Sequence, residues 1–68
     1  MQEYQLKTEY IELVKLLKLL GIAATGGHAK IMVDEGEVRV NNKPETRKRA
    51  KLSQGDIVEV NGETIHIK

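Results

Sequence analysis

Cysteine is absent from this 68-residue chain, as are tryptophan and phenylalanine, and only two tyrosines and one proline occur. Without cysteine there are no disulfides, no thiolate metal ligands and no cysteine nucleophile, a composition suited to a reducing interior. Without the large aromatics, the core has to be built from Leu, Ile and Val, in a chain short enough to bury only about 60% of its unfolded surface. Long apolar runs are missing too: no stretch approaches the ~20 residues of a membrane-spanning helix. The opening "MQEYQLKTEY" has neither the basic start nor the apolar centre of a signal peptide. These absences predict a soluble cytoplasmic protein with one small domain over residues 1–68.

Signatures of catalysis are equally scarce. His28 and His66 are far apart, in no HxxxH or HExxH spacing, so a two-histidine metal site would depend on the fold bringing them together. Asp34 and Glu35 close a candidate helix and read as solvated residues rather than a paired-carboxylate site. There is no phosphate-binding GxxxxGK[ST], and "TGGH" lacks the spacing of a dinucleotide-binding loop. No enzyme activity, metal or cofactor is expected.

What the chain does have is polarised charge. The net charge of +1 conceals zero over residues 1–22, +3 over residues 23–51 and −2 over residues 52–68. The extreme is "ETRKRAK", Glu45–Lys51, where five of seven residues are ionisable and four are basic. Taken alone, such a run reads as a solvated loop, a localisation signal, or a surface that grips an acidic partner.

Periodicity supplies the frame. "YQLK" (Tyr4–Lys7) alternates and suggests a short edge strand. Thr8 offers an N-cap, and Tyr10–Leu20 is apolar except for Glu12, Lys15 and Lys18, three residues apart. That is a helix apolar over most of its circumference, which should be covered on more than one side. Gly21 is placed to end it with a left-handed cap, with Ile22 folding back on the last turn. A second helix follows after a short link, with Thr25 as N-cap, Ala29, Met32 and Val33 as its inner face and Gly36 as its stop. Beyond Gly36 the period becomes two: "EVRVN" sets Val38 and Val40 against Arg39. "NNKP" and "SQGD" are turns. Asn61-Gly62 predicts a type I′ hairpin that faces Val60 with Glu63 and Val58 with Ile65, giving an inner row of Val58, Ile65 and Ile67. The predicted class is α+β, a helical hairpin on a small, mostly antiparallel sheet.

Within that frame the basic run lies between predicted strands, so Arg47, Lys48, Arg49 and Lys51 are held near the strand carrying Arg39, with Lys43 in the turn. Clustered Lys and Arg neutralise phosphates and release counterions, the main sequence-independent contribution to nucleic-acid affinity. Gly26, Gly27 and His28, after Thr25, sit at a helix start whose bare N–H groups attract anions, with Lys30 just beyond. The same glycines also read as nothing more than a tight inter-helix turn. Stacking aromatics are not expected in the basic region, which points to backbone and shape readout of structured RNA rather than a single-strand platform.

The order "LLKLLGIAATGGHAKIMVDEGEVRVNNKPETRKRAKLSQGDIVEV" resembles the alpha-L RNA-binding domain. That module was first described in small-subunit ribosomal protein four and also occurs in pseudouridine synthases and tyrosyl-tRNA synthetases. "TGGHAK", "EGEVRVNN" and "ETRKRAKL" resemble the small stand-alone YbcJ/YaaA-like bacterial group within it. The resemblance implies an RNA-facing surface formed by the second helix and the loop after it. Carried onto this chain, that surface is Thr25, Gly26, Gly27, His28, Lys30, Arg39, Lys43, Arg47, Lys48, Arg49 and Lys51. Two customary contacts differ: Glu12-Leu13-Val14 stands where many members have Arg-Leu-Asp, and Gly26 where many have Arg. These changes shift weight onto the basic run. The resemblance further implies ribosomal or transfer RNA as partner and a ribosome-associated or assembly role; a monomer acting without a membrane is expected. A protein-interaction adaptor using the basic patch on an acidic partner is the first alternative; a small hydrolase or metal protein is the second.

Overall fold

The computed structural model describes residues 2–47 and 49–68. Their order is β1 (Gln2–Tyr4), β2 (Ile11–Glu12), α1 (Leu13–Leu19), α2 (Gly26–Asp34), β3 (Val38–Val40), β4 (Lys43–Pro44), β5 (Lys51–Leu52), β6 (Ile57–Val60) and β7 (Glu63–Ile67). Five strands form one sheet in the order β1-β7-β6-β3-β4, and β2 and β5 form a separate two-stranded ribbon. Both helices pack against the sheet through a shared core, which is the α+β architecture read from the sequence.

The C-terminal hairpin follows directly from its residues. Asn61 and Gly62 both adopt positive φ, +52° and +76°, as a type I′ turn requires. The register pairs Val60 with Glu63 and Val58 with Ile65, and Val58, Val60, Ile65 and Ile67 are buried as one row. The β3–β4 turn repeats the device with Asn41 and Asn42 at φ +52° and +71°. Asparagine tolerates this region better than most residues. Pro44, which cannot donate to a ladder, lies in the last strand of the sheet order, where the missing N–H does least harm.

The helices end as predicted and one begins as predicted. Gly21, at φ +74°, closes α1: its N–H reaches the Lys18 carbonyl while that of Ile22 reaches Leu17, the two bonds of a Schellman cap. Gly36 ends α2 in the same way, through Val33 and Met32. At the start of α2 the Thr25 hydroxyl accepts the His28 N–H at 3.0 Å. Ala29, Met32 and Val33 are the buried face of α2.

Three expectations need correction. First, α1 starts at Leu13 rather than after Thr8, because Ile11 and Glu12 are extended and pair with Leu52 and Lys51. The Thr8 hydroxyl instead donates to the Tyr10 carbonyl. No side chain caps α1; its first N–H, from Leu13, is taken by the Ala50 carbonyl at 2.9 Å. Second, the shortened α1 is covered mainly on one side: Leu13, Leu16 and Leu17 are fully buried while Leu19 is 58% exposed. Third, the N-terminal strand is Gln2–Tyr4, earlier than Tyr4–Lys7, and it runs parallel to β7. The Leu6 N–H still bonds the Lys68 carbonyl at 2.7 Å, prolonging the edge without strand geometry.

The core is aliphatic apart from Met32, and no polar or charged residue is buried among the described residues. Leu17 is central to it: the side chain is fully buried, and the carbonyl accepts from both Ile22 and Ala23. Leu17→Ala should cost about 2–5 kcal/mol, a large share of the total for so small a domain. A urea titration followed by circular dichroism should show the midpoint falling steeply; an unchanged midpoint would contradict this account of the core.

Candidate nucleic-acid interface

The basic segment 45–51 is anchored at both ends. At one end the Glu45 N–H bonds the Val38 carbonyl at 2.9 Å. At the other, Ala50 and Leu52 are buried, and Lys51 and Leu52 pair with β2. The charged side chains are left outside: Arg47, Arg49 and Lys51 are exposed, and Lys48 lies outside the described residues. The segment thus bridges the edge of the main sheet and the start of α1.

Glu45 organises the entry to this bridge. Its carboxylate accepts from the Arg47 backbone N–H and from Nε and Nη2 of the same residue, each at 3.1 Å. The carboxylate is only 15% exposed while the Arg47 side chain is 79% exposed, so the pair turns a guanidinium outward on a shielded base. Hydrogen bonding from Arg47 first, with its charge and the Thr46 and Arg47 amides adding, holds the Glu45 carboxyl below its ordinary value of 4.5.

The second locus is the start of α2. His28 completes a reciprocal cap there: its N–H donates to Thr25 Oγ1, and its Nδ1 accepts the Ala24 N–H at 3.2 Å. This bond assigns the remaining ring proton to Nε2, leaving a donor for a ligand oxygen. Gly26 and Gly27 lie in ordinary helical backbone, and a Cβ on Gly26 would meet nothing within 4 Å. Neither conformation nor packing requires glycine at position 26, although the residue weakens a helix relative to alanine. Lys30 is exposed one turn further on.

The two loci meet α1 at different points along its length. The α2 start lies by the C-terminal end of α1, since the Ala23 N–H bonds Leu17, whereas the basic segment meets the N-terminal end at Leu13. Leu13 and Leu17 are four residues apart, a rise of roughly 6 Å along the helix. Lys43 pairs with Val40 and shares its helix-facing side, at the sheet edge. Arg39 is on the opposite face, where its guanidinium donates to the Asn42 carbonyl at 2.7 Å. There it lines a shallow depression with Glu37, Glu59 and Glu63.

One contact was missed altogether. The Lys51 ammonium sits 4.7 Å from the centre of the Tyr10 ring, so the basic region does carry an aromatic. Tyr10 and Lys51 are brought together by the β2–β5 pairing, across about 40 residues of sequence. Among the described residues, no group of three or more His, Cys, Asp or Glu is arranged to hold a metal ion, and no helix is long and apolar enough to cross a membrane.

A family model described as the S4 domain matches residues 4–68. The chain belongs to the S4 domain family. It is 41% identical to YbcJ of Escherichia coli (strain K12), a proposed RNA-binding protein, over 61 residues that cover 90% of this chain and 87% of that one. RlbA of Bacillus subtilis (strain 168), a proposed ribosome maturation protein, is 46% identical over 55 residues, covering 81% and 78%. The solution structure of the Escherichia coli protein, described as containing an alpha-L motif involved in RNA binding, superposes with a TM-score of 0.73 at 40% identity, over 98% of this chain and 86% of that one. The 30S ribosomal protein S4e of Thermoplasma acidophilum shares the fold, with a TM-score of 0.68 at 24% identity over 85% of this chain and 31% of that one.

In this S4 domain the Glu45 clamp makes a pH prediction. The folded carboxyl is the stronger acid, so its contribution is complete above about pH 4.5 and is lost as pH falls through the lower folded value. The Glu45 side-chain carboxyl resonance should titrate with a midpoint below 4.5, and Arg47→Ala should return it toward that value. A wild-type midpoint at or above it would show that the clamp does not hold in solution.

Proposed function

We propose that this chain is a non-catalytic RNA-binding protein that holds the backbone of structured RNA, acting as a monomer in ribosome association or assembly. Ribosomal RNA is the first candidate partner and transfer RNA the second. The observation that carries this reading is the exposed basic segment secured at both ends to the fold. The side chains of Arg47, Arg49 and Lys51 leave a backbone held at both ends, so less ordering entropy opposes binding than in a free loop. S4 domain membership and the names of two relatives support the same chemistry, and relation to a ribosome maturation protein favours the ribosomal setting.

Each locus has a role in this reading. Arg47, Lys48, Arg49 and Lys51 neutralise phosphates, with Lys43 extending the charge along the sheet edge. The Gly26 and Gly27 amides, with His28 Nε2–H and Lys30, receive a second phosphate at the α2 start, and Thr25 serves as the cap that shapes this end. Arg39, on the far face among carboxylates, makes the weakest contribution of the predicted set.

Replacing Arg47, Lys48 and Arg49 together with Ala should weaken binding to ribosomal RNA and flatten the log-log salt dependence by about 2 to 3 units, with the thermal midpoint nearly unchanged because the Arg47 side of its pair with Glu45 is largely exposed. Loss of folding, or an unaltered salt slope, would remove the segment from the interface. Gly26→Glu separates stability from binding. A carboxylate in the first turn of α2 should stabilise the helix by about 0.3–1 kcal/mol, yet repel a phosphate there, so melting temperature should rise while RNA affinity falls. Equal affinity for RNA would exclude the α2 start. If structured RNA fails to bind while an acidic protein is retained through the same basic side chains, the adaptor reading replaces this one.

A further inference from the structure

Both tyrosines of the chain, Tyr4 and Tyr10, line one groove of about 510 Å³ between the N-terminal arm and the start of α1. Lys7 and Lys15 line it as well, with Glu12 as the acidic residue among the lining side chains. The Lys51 ammonium lies over one face of the Tyr10 ring, so two lysines line the groove against one carboxylate and a third borders it through the ring. Tyr10 is 45% exposed although its neighbour Ile11 is buried. The ring adds little to the core, and its position is fixed by the backbone pairing on its C-terminal side. A half-exposed ring on a paired backbone, with Lys51 over one face and Lys7 and Lys15 in the same groove, matches what a nucleotide needs: a second π-face for the base and cations for its phosphate.

We propose that this groove takes a single unpaired nucleotide of the bound RNA, its base stacked on Tyr10 and its phosphates met by Lys7, Lys15 and Lys51. The inference rests on the RNA-binding reading above and deepens it. The basic segment holds the paired backbone without regard to sequence, while Tyr10 selects RNA in which a base is free to leave the stack. Extruding a base from an intact duplex opposes binding, so a bulge or loop nucleotide is favoured over a paired one. Glu12 lies where it would repel a phosphate placed too deep, which keeps the backbone at the lysine rim.

The test compares a short, fully paired RNA duplex with the same duplex carrying one unpaired adenosine. The wild-type chain should bind the bulged RNA about tenfold more tightly. Tyr10→Phe should keep that preference and Tyr10→Leu should abolish it, with both variants matching the wild-type melting temperature because the ring is outside the core. Without tryptophan, emission comes from the two tyrosines alone, and it should be quenched by the bulged RNA in the wild type but not in Tyr10→Phe. Equal affinity of the wild type for the two duplexes, or a preference that survives Tyr10→Leu, overturns the stacking site and leaves the RNA-binding reading standing. Failure of the wild type to bind either duplex or ribosomal RNA overturns both. The Arg47, Lys48 and Arg49 triple variant should weaken binding to both duplexes by a similar factor and leave their ratio intact, which separates backbone grip from base selection.

Discussion

The hydrogen bond from the Leu13 N–H to the Ala50 carbonyl, with the β2–β5 pairing around it, connects the charge of this molecule to its fold. A helix start leaves N–H groups without partners, and side chains of Ser, Thr, Asp or Asn usually supply one. Here the end of the basic segment supplies it from the backbone. The bond works in both directions, since the helix gains a cap and the segment gains a fixed exit. Ala50 and Leu52 then sink into the core on either side of Lys51, so a run that would repel itself in isolation is held by apolar contacts on its flanks. A segment of that charge tethered at one end would lose conformational freedom only on meeting a partner.

The small core permits this arrangement by staying strictly on one side. Aliphatic residues occupy the inner row of the sheet, the inner faces of two short helices and little else. Tight reversals through Gly21, Gly36 and the Asn-Asn and Asn-Gly turns keep the connections short. Charge is consequently sorted by face. The outer side of β3 and β6 carries Arg39 beside Glu37 and Glu59, while the basic side chains gather where the chain crosses from the sheet edge to α1. The overall charge of +1 averages two surfaces of opposite character, and long-range attraction of a polyanion would favour one orientation of approach.

How much of this was legible in the sequence depended on how local the cause was. The β6–β7 register, the Thr25 cap, both glycine stops and the buried face of α2 were all readable, because each is set by residues within a few positions of one another. The start of α1 was not, because Ile11 and Glu12 take their conformation from partners about 40 residues away; Thr8 drew attention only as the nearest residue of capping type. The same distant pairing hid Tyr10 from the basic region, so an apparent lack of aromatics was a lack along the chain and not in space. Arg39 erred in the other direction. Alternation correctly turned it away from Val38 and Val40, but that direction leads to the sheet face opposite the helices, away from the α2 start it had been grouped with.

The two loci reach α1 at different points, the basic segment at Leu13 and the α2 start at Leu17. The two ends also offer different chemistry. Arginine and lysine side chains neutralise charge and displace counterions, while the amides at Gly26 and Gly27 contribute aligned dipoles that bind an oxygen at fixed direction. One locus is suited to attraction and the other to registration. Gly26 leaves the amides at the helix start without a side chain over them, and a Cβ there would meet nothing within 4 Å. The positive charge lies instead in the segment beside α1, whose exit is held by the buried Ala50 and Leu52.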